Sequence, residues 1–341
     1  MIRTGIIGLG KMGISHCAIL GAHPSVDLVA VCDNSSLVVD AFKKHTNYQC
    51  FSDYKKMIAQ MNLDCILIAS PTKFHAEMVR YALDHNLHVF CEKPFVLNPD
   101  DAEALAVKAE QKKLVNQVGY HNRFLGTFNE AKVLLEMNVL GEVYHFSGES
   151  YGPVVLREKG STWRSQKGQG GGCLYDYASH TIDLIHFVLD KPVKVSGTQL
   201  KNIFSKDVED AVYSNITLSN GLSGQLSVNW SDETHRKMNT QITILGKKGK
   251  IIADATEVKI YLKEANKLFD LKKGWTIKSL TELTSSVDYY LRGEEYSSQI
   301  DHFIKCIKNS QTTNHSSFRS AAYTDQLISK LIIDNSLQTQ H

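Results

Sequence analysis

Thr4-Gly5-Ile6-Ile7-Gly8-Leu9-Gly10-Lys11-Met12-Gly13 begins as an apolar run and ends on three glycines spaced G-x-G-x-x-G. The spacing alone is a weak signal, and its setting strengthens it. The run before it reads as a strand and residues 12–21 as an apolar helix, so the glycines fall on a strand-to-helix turn. In such a turn Gly8 makes the tight bend, Gly10 lets a pyrophosphate approach the main chain, and Gly13 allows the helix to pack close to the strand. The N-terminus of the helix, with its unpaired N–H groups, then faces the phosphates. Asp33 follows twenty residues after Gly13, at the end of a second strand, Leu28-Val29-Ala30-Val31-Cys32. A carboxylate there accepts hydrogen bonds from ribose hydroxyls. Asn34-Ser35-Ser36 provides no arginine for a 2′-phosphate, so NAD is the expected cofactor and NADP the alternative.

Outward from this turn, strand-like and helix-like segments alternate: strand 27–32, helix 36–45, strand 64–69, helix 74–85, strand 88–91, then a helix opened by Asn98-Pro99-Asp100. Asn98 is placed to cap the first N–H groups, and Pro99 occupies the first helical position, where it has no hydrogen bond to lose. Such alternation predicts an α/β, doubly wound parallel sheet with right-handed crossovers. Beyond a helical stretch at 127–137 the texture changes. Strand-like runs at 143–150, 211–218, 223–230, 241–245 and 258–262 predict an α+β domain with a large, mostly antiparallel, open-faced sheet. Asn220-Gly221 marks one hairpin and Lys247-Lys248-Gly249 a second turn. Helical patterns return at 297–308 and 320–336. The expected domains are a dinucleotide-binding unit over 1–121 and a substrate-binding and oligomerisation unit over 122–341, with the late helix 320–336 free to pack back on the first.

The chain has 341 residues, enough for about two domains and a sizeable core. Hydrophobic residues at 43% and charged residues at 22% exclude a disordered or low-complexity chain. Against 36 Asp and Glu stand 38 Lys and Arg, and a net charge of +2 gives no footprint for nucleic acid or an anionic membrane. No apolar run approaches the roughly 20 residues that span a bilayer. Met1-Ile2-Arg3-Thr4 enters a strand with no leader pattern, and the seven cysteines include no C-x-x-C pair. A cytoplasmic protein with reduced thiols is therefore expected.

Further polar groups gather at strand ends. Ser70-Pro71-Thr72 leads through Lys73-Phe74 to His75, and Cys91-Glu92-Lys93-Pro94 closes the strand at 87–90. In an open parallel sheet ligands bind outside the carboxyl ends of the strands, which places Lys93 at the crevice. Later comes Gly170-Gly171-Gly172-Cys173-Leu174-Tyr175-Asp176-Tyr177-Ala178-Ser179-His180-Thr181-Ile182-Asp183. As an α-helix after the glycines, it sets Asp176 and His180 on one face, about 6 Å apart along the axis. His180, Asp183 and His186 could also be read as metal ligands, but six residues' spacing turns His186 away from His180, and no metal is expected.

With these motifs in hand, the chain resembles the glucose-fructose oxidoreductase/inositol dehydrogenase/rhizopine catabolism (Gfo/Idh/MocA) family over nearly its whole length. The likeness is carried by Gly8, Gly10 and Gly13, by Pro71-Thr72 with His75, by Glu92-Lys93-Pro94, by Gly119-Tyr120 with Arg123-Phe124, and by the D-x-x-x-H of Asp176 and His180. It implies a Rossmann domain followed by an open-faced α+β domain used for dimer or tetramer contacts, and NAD(P)-dependent redox chemistry on sugars, cyclitols or sugar derivatives. Cofactor contacts are implied from the glycine turn with Lys11 and Met12, from Asp33, from Ser70, Pro71, Thr72 and His75, and from Glu92, Lys93 and Asn122. It also suggests His180 as general acid/base, Asp176 as its orienter and sugar partner, and Lys93 as the cation that stabilises the alkoxide. The roles of Lys93 and His180 are interchangeable at this level, since a buried lysine can serve as base.

Arg123, Tyr151, Arg157, Trp163 and Arg164 are the expected substrate-side residues; guanidinium forks suit phosphates and carboxylates, which leans toward an anionic or nucleotide-linked sugar. Two other readings stand beside a dehydrogenase: glycoside hydrolysis through transient oxidation by NAD, and a cofactor-binding regulator without turnover. Retention of Lys93, Asp176 and His180 together speaks against the last.

Overall fold

The computed structural model describes residues 1–158, 162–284, 286–287, 293–312 and 314–338. They fall into two compact units, Met1–His121 with Ser286–Ala322, and Asn122–Ser285 with Tyr323–His341. The second domain expected from sequence ran unbroken from 122 to 341; instead residues 286–322 cluster with the first unit.

The first unit opens with β1 (Ile2–Ile7), α1 (Lys11–Ala22), β2 (Val26–Cys32), α2 (Ser36–His45), β3 (Gln49–Phe51) and α3 (Tyr54–Gln60). It continues with β4 (Cys65–Ile68), α4 (His75–Asp84), β5 (His88–Cys91), α5 (Pro99–Gln111) and β6 (Asn116–Val118). Among the described residues these strands form a six-stranded sheet in the order β3-β2-β1-β4-β5-β6, every neighbour parallel. The strands are apolar on both faces because helices cover both. Along β4, Ile66 and Ile68 join one apolar cluster while Cys65 and Leu67 join the other. The caps form as the sequence predicts: the Asn98 side chain accepts the Asp100 N–H at 3.0 Å, with Pro99 in the first turn. The sheet order reverses between β1 and β4, the switch point at which ligands bind in doubly wound folds.

The second unit contains α6 (Gly126–Glu136), β7 (Val143–Tyr151), α7 (Ser179–Val188), β8 (Pro192–Lys201), β9 (Ala211–Leu218), β10 (Ser223–Asn229), β11 (Asn239–Gly246), β12 (Gly249–Asp254), β13 (Glu257–Leu262), β14 (Gly274–Ser279) and α8 (Leu280–Leu283). The eight strands form a sheet in the order β14-β13-β12-β11-β7-β10-β9-β8. All pairs are antiparallel except β7 with β10. That exception follows from the connectivity: after β7 the chain leaves through α7, re-enters at the edge strand β8 and folds back twice, so β10 arrives alongside β7 in the same direction. Gly221 has φ +86° in the β9–β10 turn, as the Asn-Gly signal predicts. One face of the sheet packs on α6 and α7, joining Phe146, Ile242 and Ile244 to Leu134, Ile182 and Ile185. Toward the β14 edge Tyr261, Trp275 and Ile277 are exposed.

Two helices close the chain, α9 (Glu294–Lys308) and α10 (Phe318–Gln338). In the first unit, Ile300, Phe303 and Ile304 of α9 pack with Cys17 and Leu20 of α1, and Phe318 stacks on Phe95 with ring centres 4.3 Å apart. All seven cysteines are free, six buried and Cys50 half-buried. No described helix is long and apolar enough to cross a membrane.

Candidate functional site

In the first unit the site is built on the turn between β1 and α1. Gly8 adopts φ +89°, and a Cβ there would lie 2.7 Å from the Ala69 main chain; on Gly13 it would lie 1.8 Å from the Gly8 carbonyl oxygen. Protein atoms therefore fill the space beside both. Beside Gly10 nothing comes within 4 Å. That open cradle adjoins the start of α1, which no side chain caps and whose first turn holds no acidic residue, an arrangement that suits an anion. Lys11 is exposed beside it and Met12 half-buried. Asp33 ties the turn to the end of β2: Oδ2 accepts the Leu9 N–H at 2.7 Å and Oδ1 the Ser35 N–H at 2.8 Å. The carboxylate is thus fixed in place and keeps lone pairs for ribose hydroxyls. These residues fit a dinucleotide.

At the ends of β4 and β5 the sequence expectation needs correction at two positions. His75 and Glu92 were expected to contact the cofactor, and both side chains turn into the protein. His75 Nδ1 lies 3.1 and 3.0 Å from the Pro94 and Phe95 carbonyl oxygens, and Nε2 lies 2.8 Å from that of Ser70. Burial pushes its pKa down, against the pull of these three carbonyls. Glu92 is 8% exposed; its Oε1 lies 2.6 Å from His16 Nε2, and Oε2 accepts the Lys93 N–H at 3.1 Å. Both residues shape the edge from beneath. Lys93 is half-buried, Ser70 half-buried, Pro71 exposed and Thr72 buried.

In the second unit Asn122 is buried, and its Nδ2 meets no hydrogen-bond partner among the described residues. Arg123, expected on the substrate side, is 3% exposed. Its Nε and Nη2 donate to the two carboxylate oxygens of Asp183 at 2.8 and 2.6 Å, and the guanidinium lies 5.2 Å from the Phe187 ring centre. A buried fork of this kind serves the fold, which removes Arg123 from the substrate set and Asp183 from any metal set. His186 packs edge-on against Tyr323, and burial pushes it down to about 4. No group of three His, Cys, Asp or Glu among the described residues is placed to hold a metal.

The glycine-led segment holds the two remaining catalytic candidates. A Cβ on Gly171 would strike the Arg164 carbonyl oxygen at 2.3 Å, and Gly172, at φ +105°, presses on the Glu209 carboxylate. Glu209 in turn receives the helix start: its carbonyl accepts the Cys173 N–H at 2.9 Å and its Oε1 the Leu174 N–H at 2.8 Å. Leu174–Ala178 is a π-helical turn rather than the α-helix expected. Asp176 lies in this turn and His180 at the start of the α-helix that follows it. The Ser179 hydroxyl donates to the Tyr175 carbonyl at 2.7 Å across the wide turn. Asp176 accepts from Arg164 Nε at 3.1 Å, and that guanidinium lies 4.4 Å from the Trp163 ring centre. Trp163 and Arg164, with Val154, Phe204 and Lys206, line an open cleft of about 490 Å³. His180 is buried on α7, Arg157 is exposed, and Tyr151 shares a 2.5 Å hydrogen bond with Ser227. The sequence reading missed His16 and Glu209. A lone histidine on an apolar helix face reads as core, and no local pattern links Glu209 to a helix 35 residues earlier.

Comparison with known proteins adds to this geometry. Residues 2–120 match a family model described as "Oxidoreductase family, NAD-binding Rossmann fold", and residues 128–252 match the model "GFO/IDH/MocA C-terminal domain". An uncharacterized oxidoreductase of Schizosaccharomyces pombe is 28% identical over 200 residues, 58% of this chain and 54% of that protein, so the chain spans about half the length of that relative. The scyllo-inositol 2-dehydrogenase (NAD(+)) of Bacillus subtilis is 22% identical over 319 residues, 91% of this chain and 87% of its own length. A levoglucosan dehydrogenase solved in complex with NADH superposes with a TM-score of 0.88 at 19% identity, covering 98% of this chain and 97% of that one. At that identity the likeness is one of fold.

Proposed function

The chain belongs to the GFO/IDH/MocA oxidoreductase family, with an NAD-binding Rossmann domain, and from that premise we propose that it is an NAD-dependent dehydrogenase that moves hydride between the nicotinamide and a secondary alcohol of a sugar, cyclitol or nucleotide-linked sugar. The observation that carries this is Lys93, which follows β5 at the carboxyl edge of the same parallel sheet whose β1 end carries the open cradle of Gly10. Oxidising such an alcohol requires a base for the hydroxyl proton and a group that stabilises the alkoxide within about 3 Å of that oxygen. We assign His180 as general acid/base, Asp176 as its orienter and a partner of the sugar, and Lys93 as the stabilising cation. NAD accepts or returns the hydride; the protein contributes orientation and proton handling. Gly10 and the start of α1 receive the pyrophosphate, Asp33 the ribose, and Asn122 Nδ2 supplies a further donor.

A relative named for scyllo-inositol supports a polyol or sugar substrate. The lean toward an anionic sugar rests on Arg157, because Arg164 already pairs with Asp176. Homo-oligomerisation through the second sheet is part of the proposal, supported by the exposed Trp275 and Ile277 near its β14 edge.

An anaerobic absorbance scan tests the reading: the protein with NAD is challenged with cyclitols, aldoses, uronic acids and nucleotide sugars. The NADH band is expected to grow with one class, and Lys93→Met is expected to abolish that growth while binding NADH as before. A flat band across the panel, with NAD bound, overturns the dehydrogenase assignment in favour of transient-redox glycoside chemistry. Full turnover by Lys93→Met overturns the role of the lysine.

A further inference from the structure

One buried polar pair of the first unit has no part in the chemistry above. His16, on α1 and six residues beyond the Gly10 cradle, is 0% exposed. Its Nε2 lies 2.6 Å from Glu92 Oε1, and its ring packs edge-on against Phe90 of β5, centres 5.5 Å apart. Glu92 spends its second carboxylate oxygen on the Lys93 N–H and its own N–H on the Ile68 carbonyl at 2.8 Å. Beneath it sits Gly119, where a Cβ would lie 3.0 Å from Glu92 Oε1, so a side chain there would push the carboxylate aside by a few tenths of an ångström. On the far side of the lysine, His75 gathers the carbonyls of Ser70, Pro94 and Phe95.

We propose that His16 is a positioning residue: by holding Glu92 it fixes the main chain that carries Lys93, and so couples the helix behind the cofactor turn to the lysine. A buried ionic or charge-assisted pair is a poor way to gain stability, since well-packed apolar residues commonly do as well. What such a pair provides is a single geometry. Helix α1 starts at the cradle and presents His16 one and a half turns later, so anything that seats the turn also seats Glu92 and, through one hydrogen bond, the Lys93 backbone. The charged or titratable groups around the carboxylate are His16 from α1, Lys93 from its own segment and His75 from α4. Burial alone would push the Glu92 carboxyl up, but the hydrogen bond from His16 and the charges of His16 and Lys93 hold it below the usual range.

The inference rests on the assignment of Lys93 to the reaction, and the experiment separates the two. With the substrate identified by the panel above, kcat, KM for NAD and the pH profile of kcat/KM are measured for His16→Leu, His16→Gln, Glu92→Gln, the double variant His16→Leu/Glu92→Gln, and Lys93→Met. A misplacement of about 1 Å at a reacting group costs up to about 100-fold in rate. For His16→Leu we expect kcat per folded molecule to fall at least tenfold, with KM for NAD within about twofold. His16→Gln, which keeps a donor near the Nε2 position, is expected to recover most of that loss. The double variant is expected to be no slower than His16→Leu, because both changes break one link. Glu92→Gln is expected to lower kcat at least tenfold as well, with KM for NAD within about twofold. Unchanged kcat in His16→Leu, or losses that multiply in the double variant, overturns the inference. Should His16→Leu not fold, Glu92→Gln decides: an unchanged kcat overturns it. Turnover by Lys93→Met defeats the parent assignment instead, and an inactive Lys93→Met beside a fully active His16→Leu defeats the coupling alone.

Discussion

Gly10 and Gly13 stand three residues apart and are glycine for different reasons. Gly13 is glycine because the protein is there: its Cβ would sit 1.8 Å from the Gly8 carbonyl oxygen. Gly10 is glycine with open space beside it, so its missing side chain serves something other than the fold. Gly10→Ala is therefore expected to leave thermal stability within about 1 kcal/mol of the parent while raising Kd for NADH at least tenfold. Gly13→Ala is expected to destabilise by about 2 kcal/mol or more, since main chain must shift. Calorimetry with NADH fluorescence titration checks both, and an alanine at Gly10 that binds NADH normally would remove the cradle from the cofactor site. The motif was legible because its three glycines are local and its spacing is geometric. His75, Glu92 and Arg123 were read as ligand contacts from their positions in motifs, and position in a motif does not say which way a side chain points. Each has inward partners that lie 19 to 76 residues away in the chain.

At the scale of elements, the strands and helices with clean alternation or caps were readable, among them α2, β5 and β9. Those that depend on neighbours were not. β3 and β6 are three residues each, too short to show a period, and β8 carries Gly197 at φ +70° beside a register shift. The π turn at Leu174–Ala178 reads as α-helix because its sequence is helical; what holds its start is distant in the chain, Glu209 receiving the Cys173 and Leu174 N–H groups behind glycines that allow close approach. Helix α7 is then pinned by Asp183 to Arg123, both nearly fully buried. Asp183→Asn leaves the guanidinium buried without its charge partner and is expected to cost about 3–5 kcal/mol. The expected signature in chemical denaturation is a lower midpoint at unchanged slope, with KM per folded molecule unaltered. A large rise in KM at full stability would return Arg123 to the substrate side.

For the whole molecule, the strongest expectation from buried groups concerns acid. His186 in the second unit sits well below its ordinary value of about 6.5, pushed down to about 4 first by burial and then by Arg123. His75, His88 and His302 in the first unit are also lowered, in each case chiefly by burial. Below pH 6.5 the unfolded chain binds protons at these rings more readily than the folded chain, so stability rises with pH there and is lost on acidification, and for His186 the window runs down to about pH 4. His186 alone contributes about 2–3 kcal/mol over the full interval. Glu92 adds a separate loss at lower pH: its lowered carboxyl contributes stability above its unfolded value, and that contribution disappears as pH falls through the folded one. Melting curves at pH 7, 6 and 5 should therefore show Tm falling throughout, with most of the loss below pH 6.5. His186→Gln, which cannot charge, is expected to flatten the fall of Tm with pH. An unaltered slope in that variant would mean that the ring is protonated in the folded protein, and the acid lability would then belong to the first-unit histidines alone.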